Sequence, residues 1–280
     1  MKHIEEKIAK AVMIISSLAI LSMLLYILYI IIKRGLPSLT WEMLTQLPSG
    51  GFYLGKEGGV LNAIIGSVYL IFGAVLLSML ISIPVAMYIN FYLSKKSRFG
   101  IFARFTMDIL FGIPSIVYGA FGFMLMIALG VKASLLGGII TVGLLITPIM
   151  IRSIDEVAVL VPRELIEAPK ALGATRYETI KVIVRQLLPG LSTAILLAIG
   201  RGIGDAATVL FTAGYTDNIP HGVMEPAASL PLAIFFQLGS PIEEVQDRAY
   251  ASALILTAII LILSFAARYF SRKFSKNSQL

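Results

Sequence analysis

Arg201 and Asp205 stand four residues apart inside an otherwise apolar run, Leu191 to Ala213. On a helix, that spacing puts both side chains on one face, close enough to pair. The run has the length of about 20 apolar residues that a bilayer crossing needs. A charge at mid-membrane costs roughly 2.5–3.5 kcal/mol on insertion scales, so it must face protein or a water-filled path. Two chemistries fit. A guanidinium fork matches the geometry of a planar or tetrahedral oxyanion, which suits Arg201 to an anion path with Asp205 beside it. The same pair equally suits a structural lock between two helices, and on this run alone both readings stand.

Little else in the chain points to chemistry. The sequence has no cysteine, which excludes disulfides and thiolate-bound metals. His3 and His221 lie far apart and outside the apolar runs, so a metal site built on them is not expected. No paired carboxylates or Ser–His set suggests catalysis, and the chain reads as no enzyme. Gly50-Gly51-Phe52-Tyr53-Leu54-Gly55-Lys56 fits the first seven positions of a phosphate-binding loop, but Glu57 stands where a Ser or Thr should touch magnesium. Gly200, Gly202 and Gly204 lack the strand and spacing of a dinucleotide fingerprint; small residues so placed allow close helix packing. Arg104 and Asp108 read as a boundary ion pair. Arg152, at the end of an apolar run, reads either as snorkelling to lipid headgroups or as part of an anion path.

The elements that must position these groups are membrane helices. Of 280 residues, 58% are hydrophobic and only 14% charged, against about 25% charged in soluble domains. Six spans are expected, at about Ala11–Ile32, within Leu61–Leu93, Met107–Leu129, Leu135–Ile151, Leu191–Ala213 and Ala251–Phe270. The first is too long for a signal peptide and ends in Lys33-Arg34 rather than a cleavage site. Pro84 and Pro114 should kink the second and third. Of the 23 Lys and Arg, 17 fall on the two termini and on the segments after the second and fourth spans, and five on the alternate segments. That asymmetry puts both termini in the cytoplasm of a multi-pass protein of the cell (plasma or inner) membrane. The net charge of +7 is thereby a topology signal, and needs no nucleic acid. Residues 33–60 and 214–248 then face outside. The second holds Leu230–Leu238, too short to span, which reads equally as a re-entrant or interfacial piece or as a packed surface helix.

The cytoplasmic stretch 152–189 is long and amphipathic. Pro162 suits the first turn of a short helix that Gly173 should end. Thr175-Arg176-Tyr177-Glu178 has the form of a capping box opening a second helix, from about Arg176 to Leu188. Two short helices broken at a glycine make a compact knob.

Within that knob, Glu167-Ala168-Pro169, then Gly173, then Ile183, resembles the EAA loop of ATP-binding-cassette importer permeases. Pro169 stands where a second alanine is usual, Arg185-Gln186 where Leu-Pro is usual, and Leu188-Pro189 comes three residues late. Three further segments narrow the resemblance to PstA-type phosphate permeases: Gly59-Val60-Leu61-Asn62-Ala63-Ile64-Ile65-Gly66, Gly112-Ile113-Pro114-Ser115-Ile116-Val117-Tyr118-Gly119-Ala120-Phe121-Gly122, and Gly200-Arg201-Gly202-Ile203-Gly204-Asp205. In the last, Asp205 replaces the family's usual glutamate.

The resemblance implies an all-α integral membrane protein with six transmembrane helices, in the type I importer permease fold shared with methionine-importer permeases. It implies an N-terminal helix and outer loop over 1–60, a permease core over 61–270 with the coupling loop at 161–189, and a cytoplasmic tail over 271–280. Glu167, Ala168 and Gly173 would dock on a pair of PstB-like ATPase subunits, which would bind the ATP and magnesium; no cofactor is expected in this chain. A PstC-like permease would complete the path, and an external phosphate-binding protein would deliver phosphate. ATP-driven closure of the ATPase pair would draw the knobs together and open the path outward. Arg201, Asp205 and Arg152 would face the anion. The alternatives are a permease for another oxyanion, such as sulfate or molybdate, and, outside the class, a channel or membrane receptor needing no ATPase.

Overall fold

The computed structural model describes residues 2–49, 57–94, 96–162 and 164–276. The segment Gly50–Lys56, with its partial phosphate-loop pattern, lies outside them, as does the tail from residue 277. Ten α-helices appear among the described residues: α1 (Lys2–Ser38), α2 (Trp41–Thr45), α3 (Leu61–Met87), α4 (Arg98–Gly112), α5 (Ser115–Ala128), α6 (Leu135–Val159), α7 (Glu164–Ala171), α8 (Arg176–Ile203), α9 (Leu230–Leu238) and α10 (Glu243–Lys276). A π-helical turn, Tyr88–Tyr92, prolongs α3 four residues after Pro84, and Pro48-Ser49 pairs antiparallel with Glu57-Gly58. Five of these helices are long and apolar enough to cross a bilayer; a sixth crossing arises if α4 and α5 count as one bent span.

The core is the packing of α3, α6 and α8, through Leu70, Ile71 and Ala74, Val142, Ile146 and Met150, and Ala194 and Ala198. Its buried side chains are aliphatic and small, so backbones approach closely, as membrane helices favour. The outermost helix, α1, packs along α10 and leaves its apolar face exposed; Arg34 binds Asp247 at 2.7 Å where the two meet.

Two expected spans come out differently. The third is not one helix. Pro114 lacks an N–H and holds Ile113 extended (φ −71°, ψ 130°), so α4 ends and α5 restarts at 98° to it. Gly119 on α5 lets the backbone of Ala207 and Thr208 approach, since a Cβ there would lie 2.7 Å from the Ala207 carbonyl oxygen. The fifth span stops early. Its helix ends at Ile203, and the chain continues through turns to Gly214. Gly202 and Gly204 weaken the helix, and Asp205 offers the backbone another partner: its Oδ1 accepts the Thr208 N–H at 2.9 Å.

The same helix begins earlier than a span should. The capping box forms, with the Thr175 hydroxyl accepting the Glu178 N–H and the Glu178 carboxylate accepting the Thr175 N–H at 2.7 Å. From there α8 runs through Pro189 without the expected stop near Leu188. Packing overrides the local signal, because Gly190 presses against Val157 of α6, whose Cγ1 would lie 2.4 Å from an added Cβ.

The short segment Leu230–Leu238 is helical as expected, and its first four residues are buried while Phe235, Phe236 and Leu238 are exposed. A helix buried end-first favours the re-entrant reading over a packed surface helix. Gly66 of α3 makes room for the chain entering α9; a Cβ there would overlap the Ala228 carbonyl oxygen at 2.0 Å.

Candidate functional site

The early end of α8 defines the site. Gly202 lies against Ile71 of α3 and Val142 of α6, whose side chains would come within 2.8 and 3.1 Å of an added Cβ. Val142 and neighbouring Ile146 stand about 10–16 Å along α6 from its first residue, at 1.5 Å per residue. With Leu135 taken as the edge of a hydrocarbon core of about 30 Å, the helix ends near mid-depth. Arg201 sits in its last turn rather than mid-helix. There the partial negative charge of the helix C-terminus favours a cation.

Arg201 and Asp205 meet, but unequally. Arg201 Nη1 lies 3.5 Å from Asp205 Oδ2, with the arginine side chain 48% exposed and the aspartate 3%. Asp205 lies beyond the helix, so the pair spans the helix end instead of one helical face. Three threonines that the sequence reading did not single out extend this polar seam. Thr208 Oγ1 donates to the Ser115 carbonyl at 3.2 Å, joining the turn after α8 to the restart of α5. Thr212 Oγ1 donates to the Thr208 carbonyl at 3.0 Å and lies 2.9 Å from Thr141 Oγ1, which bonds the Gly137 carbonyl at 2.8 Å. Polar residues at 205, 208 and 212 within an apolar run were the available signal. Behind the seam is a narrow pocket whose lining includes Ser67, Gly202, Asp205, Ser229 and Pro231.

Arg152 is not brought to this site. It lies about 9–15 Å further along α6 than Ile146 and Val142. Its Nη1 is 3.4 Å from Asp108 Oδ1 and its Nε 3.3 Å from Glu156 Oε1. The expected pair of Arg104 with Asp108 does not form, because Arg104 turns to Asp155. Arg104 Nε reaches the two Asp155 carboxylate oxygens at 3.1 and 2.9 Å, and its Nη2 reaches Oδ1 at 3.0 Å. Asn90 closes the knot, accepting from Arg104 Nη2 at 3.1 Å and donating to Asp155 Oδ1 at 2.7 Å. A buried carboxylate on α6 thus outcompetes an exposed one a single turn away on α4.

The knob follows the same end of α6. Gly173 takes φ +80°, and α7 stops two residues before it. That left-handed turn is open to glycine and resisted by other residues. Glu167 and Ala168 are exposed, and so are the apolar side chains of Leu172 (89%) and Tyr177 (76%). Among the described residues, no group of three His, Asp or Glu side chains could hold a metal.

The family described as binding-protein-dependent transport system inner membrane component matches residues 78–276. The chain is 34% identical to the phosphate transport system permease protein PstA of Haemophilus influenzae, over 88% of this chain and 86% of that one. It is 33% identical to the phosphate transport system permease protein PstA 1 of Mycobacterium tuberculosis, over 95% of this chain and 88% of that one. A chain of the MetNI methionine ABC transporter, solved in inward-facing conformations, superposes with a TM-score of 0.62 at 18% identity, over 77% of this chain and 95% of that one. At that identity the likeness establishes the fold.

Proposed function

The chain belongs to the binding-protein-dependent transport system inner membrane components, and within them to the PstA-type phosphate permeases; we propose that it forms part of the path by which an ATP-driven importer admits phosphate. The observation that carries this reading is the end of α8 near mid-depth. It leaves a half-exposed guanidinium, Arg201, where a helix gives way to turns. Irregular backbone at membrane depth is tolerated where it lines a cavity or packs in protein. A fork of N–H donors at such a place attracts an oxyanion. Arg201 would hold the anion only transiently, since conduction requires weak binding.

The sequence offers no credible nucleotide motif, so energy would come from a separate ATPase pair. Its docking point would be the α7–α8 knob, with Glu167, Ala168 and Gly173 at the contact. Exposed Leu172 and Tyr177 support that role, because apolar side chains standing out of a charged segment suit a partner's cleft. The charge asymmetry orients the knob and both termini to the cytoplasm. A second permease of PstC type would close the other side of the path, and an external binding protein would supply phosphate.

The test is uptake of radiolabelled phosphate by cells lacking other high-affinity phosphate uptake. They would express this chain with a PstC-type permease, a PstB-type ATPase and a phosphate-binding protein. ATP-dependent uptake that persists in excess sulfate or molybdate is the expected result. Competition by either oxyanion would reassign the substrate. Uptake without the ATPase would favour a channel.

A further inference from the structure

Ser229 occupies the N-cap of α9 and is 3% exposed. A serine there ordinarily accepts a backbone N–H from the first turn. Ser229 makes no such bond, and its Oγ has no partner. Other groups have taken over the work: the Leu230 N–H donates to Ser67 Oγ at 2.8 Å, and the Ala233 N–H to the Ser229 carbonyl at 2.9 Å. Pro231 has no N–H to satisfy. A buried hydroxyl left unbonded is costly, and such exceptions call for an explanation.

The pocket it lines supplies one. Asp205 lines the same pocket. Its Oδ1 accepts one backbone N–H, while Oδ2 faces only Arg201, at 3.5 Å. An ionised carboxylate offers about four acceptor positions, so Asp205 has capacity to spare. If Arg201 swung toward an anion, Asp205 would remain as a buried charge with a single partner, which is unfavourable. A neutral hydroxyl is suited to this moment. It rotates freely to donate and leaves the positive charge of Arg201 undivided.

We propose that Ser229 is the stand-in donor for Asp205, satisfying its carboxylate when Arg201 turns to the passing oxyanion. Ser229 is then a positioning residue, acting through the Arg201–Asp205 pair. The proposal rests on the reading of Arg201 as part of the anion path.

The experiment measures maximal phosphate uptake per transporter, in the complete assembly, for Ser229→Ala, Asp205→Asn and the double variant, with thermal stability of each. Losing one hydrogen bond to a charged group in the engaged state should lower the maximal rate of Ser229→Ala about tenfold. Its resting stability should not fall, because no protein group bonds the hydroxyl at rest. In the Asp205→Asn background, Ser229→Ala should change nothing further, the charge being gone. A wild-type rate for Ser229→Ala would overturn the proposal, as would a further tenfold loss in the double variant. Arg201→Gln separates the two levels. If it transports normally, the path reading itself fails; if it is defective while Ser229→Ala is normal, only the stand-in fails.

Discussion

Two of the arginine–aspartate pairs, Arg104 with Asp155 and Arg201 with Asp205, look alike in composition and are built to opposite ends. In both, the aspartate is nearly buried, with 8% of the Asp155 side chain and 3% of the Asp205 side chain exposed. Arg104 grips Asp155 through two nitrogens at 2.9–3.1 Å, and Asn90 bonds both partners. That knot ties α4 and the end of α3 to α6. Arg201 offers Asp205 a single nitrogen at 3.5 Å, beyond ordinary hydrogen-bond length, and keeps half its surface free. A fork with its donors spent fastens helices; a fork with its donors unspent remains able to bind something else. The Arg104–Asp155 pair is a joint and the Arg201–Asp205 pair is a held charge.

The largest effect should come from breaking the joint. Asp155→Asn keeps the shape but removes the charge that Arg104 and Asn90 converge on. We expect a stability loss of roughly 3 kcal/mol, at the low end for a broken buried pair because Arg104 is 31% exposed. Thermal unfolding of the purified protein in detergent measures it. If Asp155→Asn proves no more damaging than Asp205→Asn, the contrast between the two pairs collapses.

The sequence made the membrane helices legible, because long apolar runs and the placement of Lys and Arg report directly on the bilayer. It also revealed the turn at Gly173 and the capping box at Thr175, since both are set by neighbours in sequence. It did not reveal where α8 ends. Hydropathy treats Leu191–Ala213 as one run, and the stop at Ile203 depends on Asp205 accepting the Thr208 N–H and on α5 receiving Thr208. Pro114 was expected to bend a helix, and the break at 98° is set by how α4 and α5 pack separately on α6. Partner choice among charges was the least legible. Spacing pointed Arg104 at Asp108, four residues away, while its partner lies 51 residues on. Seeing Arg201 and Asp205 as a pair needed only local spacing; seeing that the pair is loose needed the fold.

Arg201→Gln should have a smaller effect on stability and a larger one on transport. It leaves Asp205 buried without its cation. If the pair were a lock, the loss would approach the roughly 3–5 kcal/mol of a stranded buried charge. If Arg201 is a held charge, with the Thr208 N–H on Asp205 and Ser229 ready to donate, the loss should be about 1 kcal/mol or less, in the range of one modest hydrogen bond. Phosphate uptake should nonetheless fall severely at normal abundance. Arg201→Lys keeps the charge but loses the planar fork, and should fall between. Parallel loss of abundance and uptake would make Arg201 structural, like Arg104. Normal uptake at normal abundance would remove it from the path.

Arg152 gives the smallest expected effect and the sharpest control. It is as exposed as Arg201, at 44%, but it stands between two carboxylates, Asp108 at 3.4 Å and Glu156 at 3.3 Å, themselves 53% and 66% exposed. Exposed pairs of this kind contribute about 0–1 kcal/mol. Removing Arg152 strands no buried charge, because both carboxylates are more than half exposed. Its local field is also wrong for an anion, two negative groups outweighing one positive. Arg152→Gln should therefore shift stability by less than about 0.5 kcal/mol and uptake by less than about twofold, the ordinary range of a surface substitution. Should Arg152→Gln instead abolish uptake at normal abundance, exposure alone would have marked the path. Arg152 would then join Arg201 along it, with Asp108 and Glu156 recast as its resting partners.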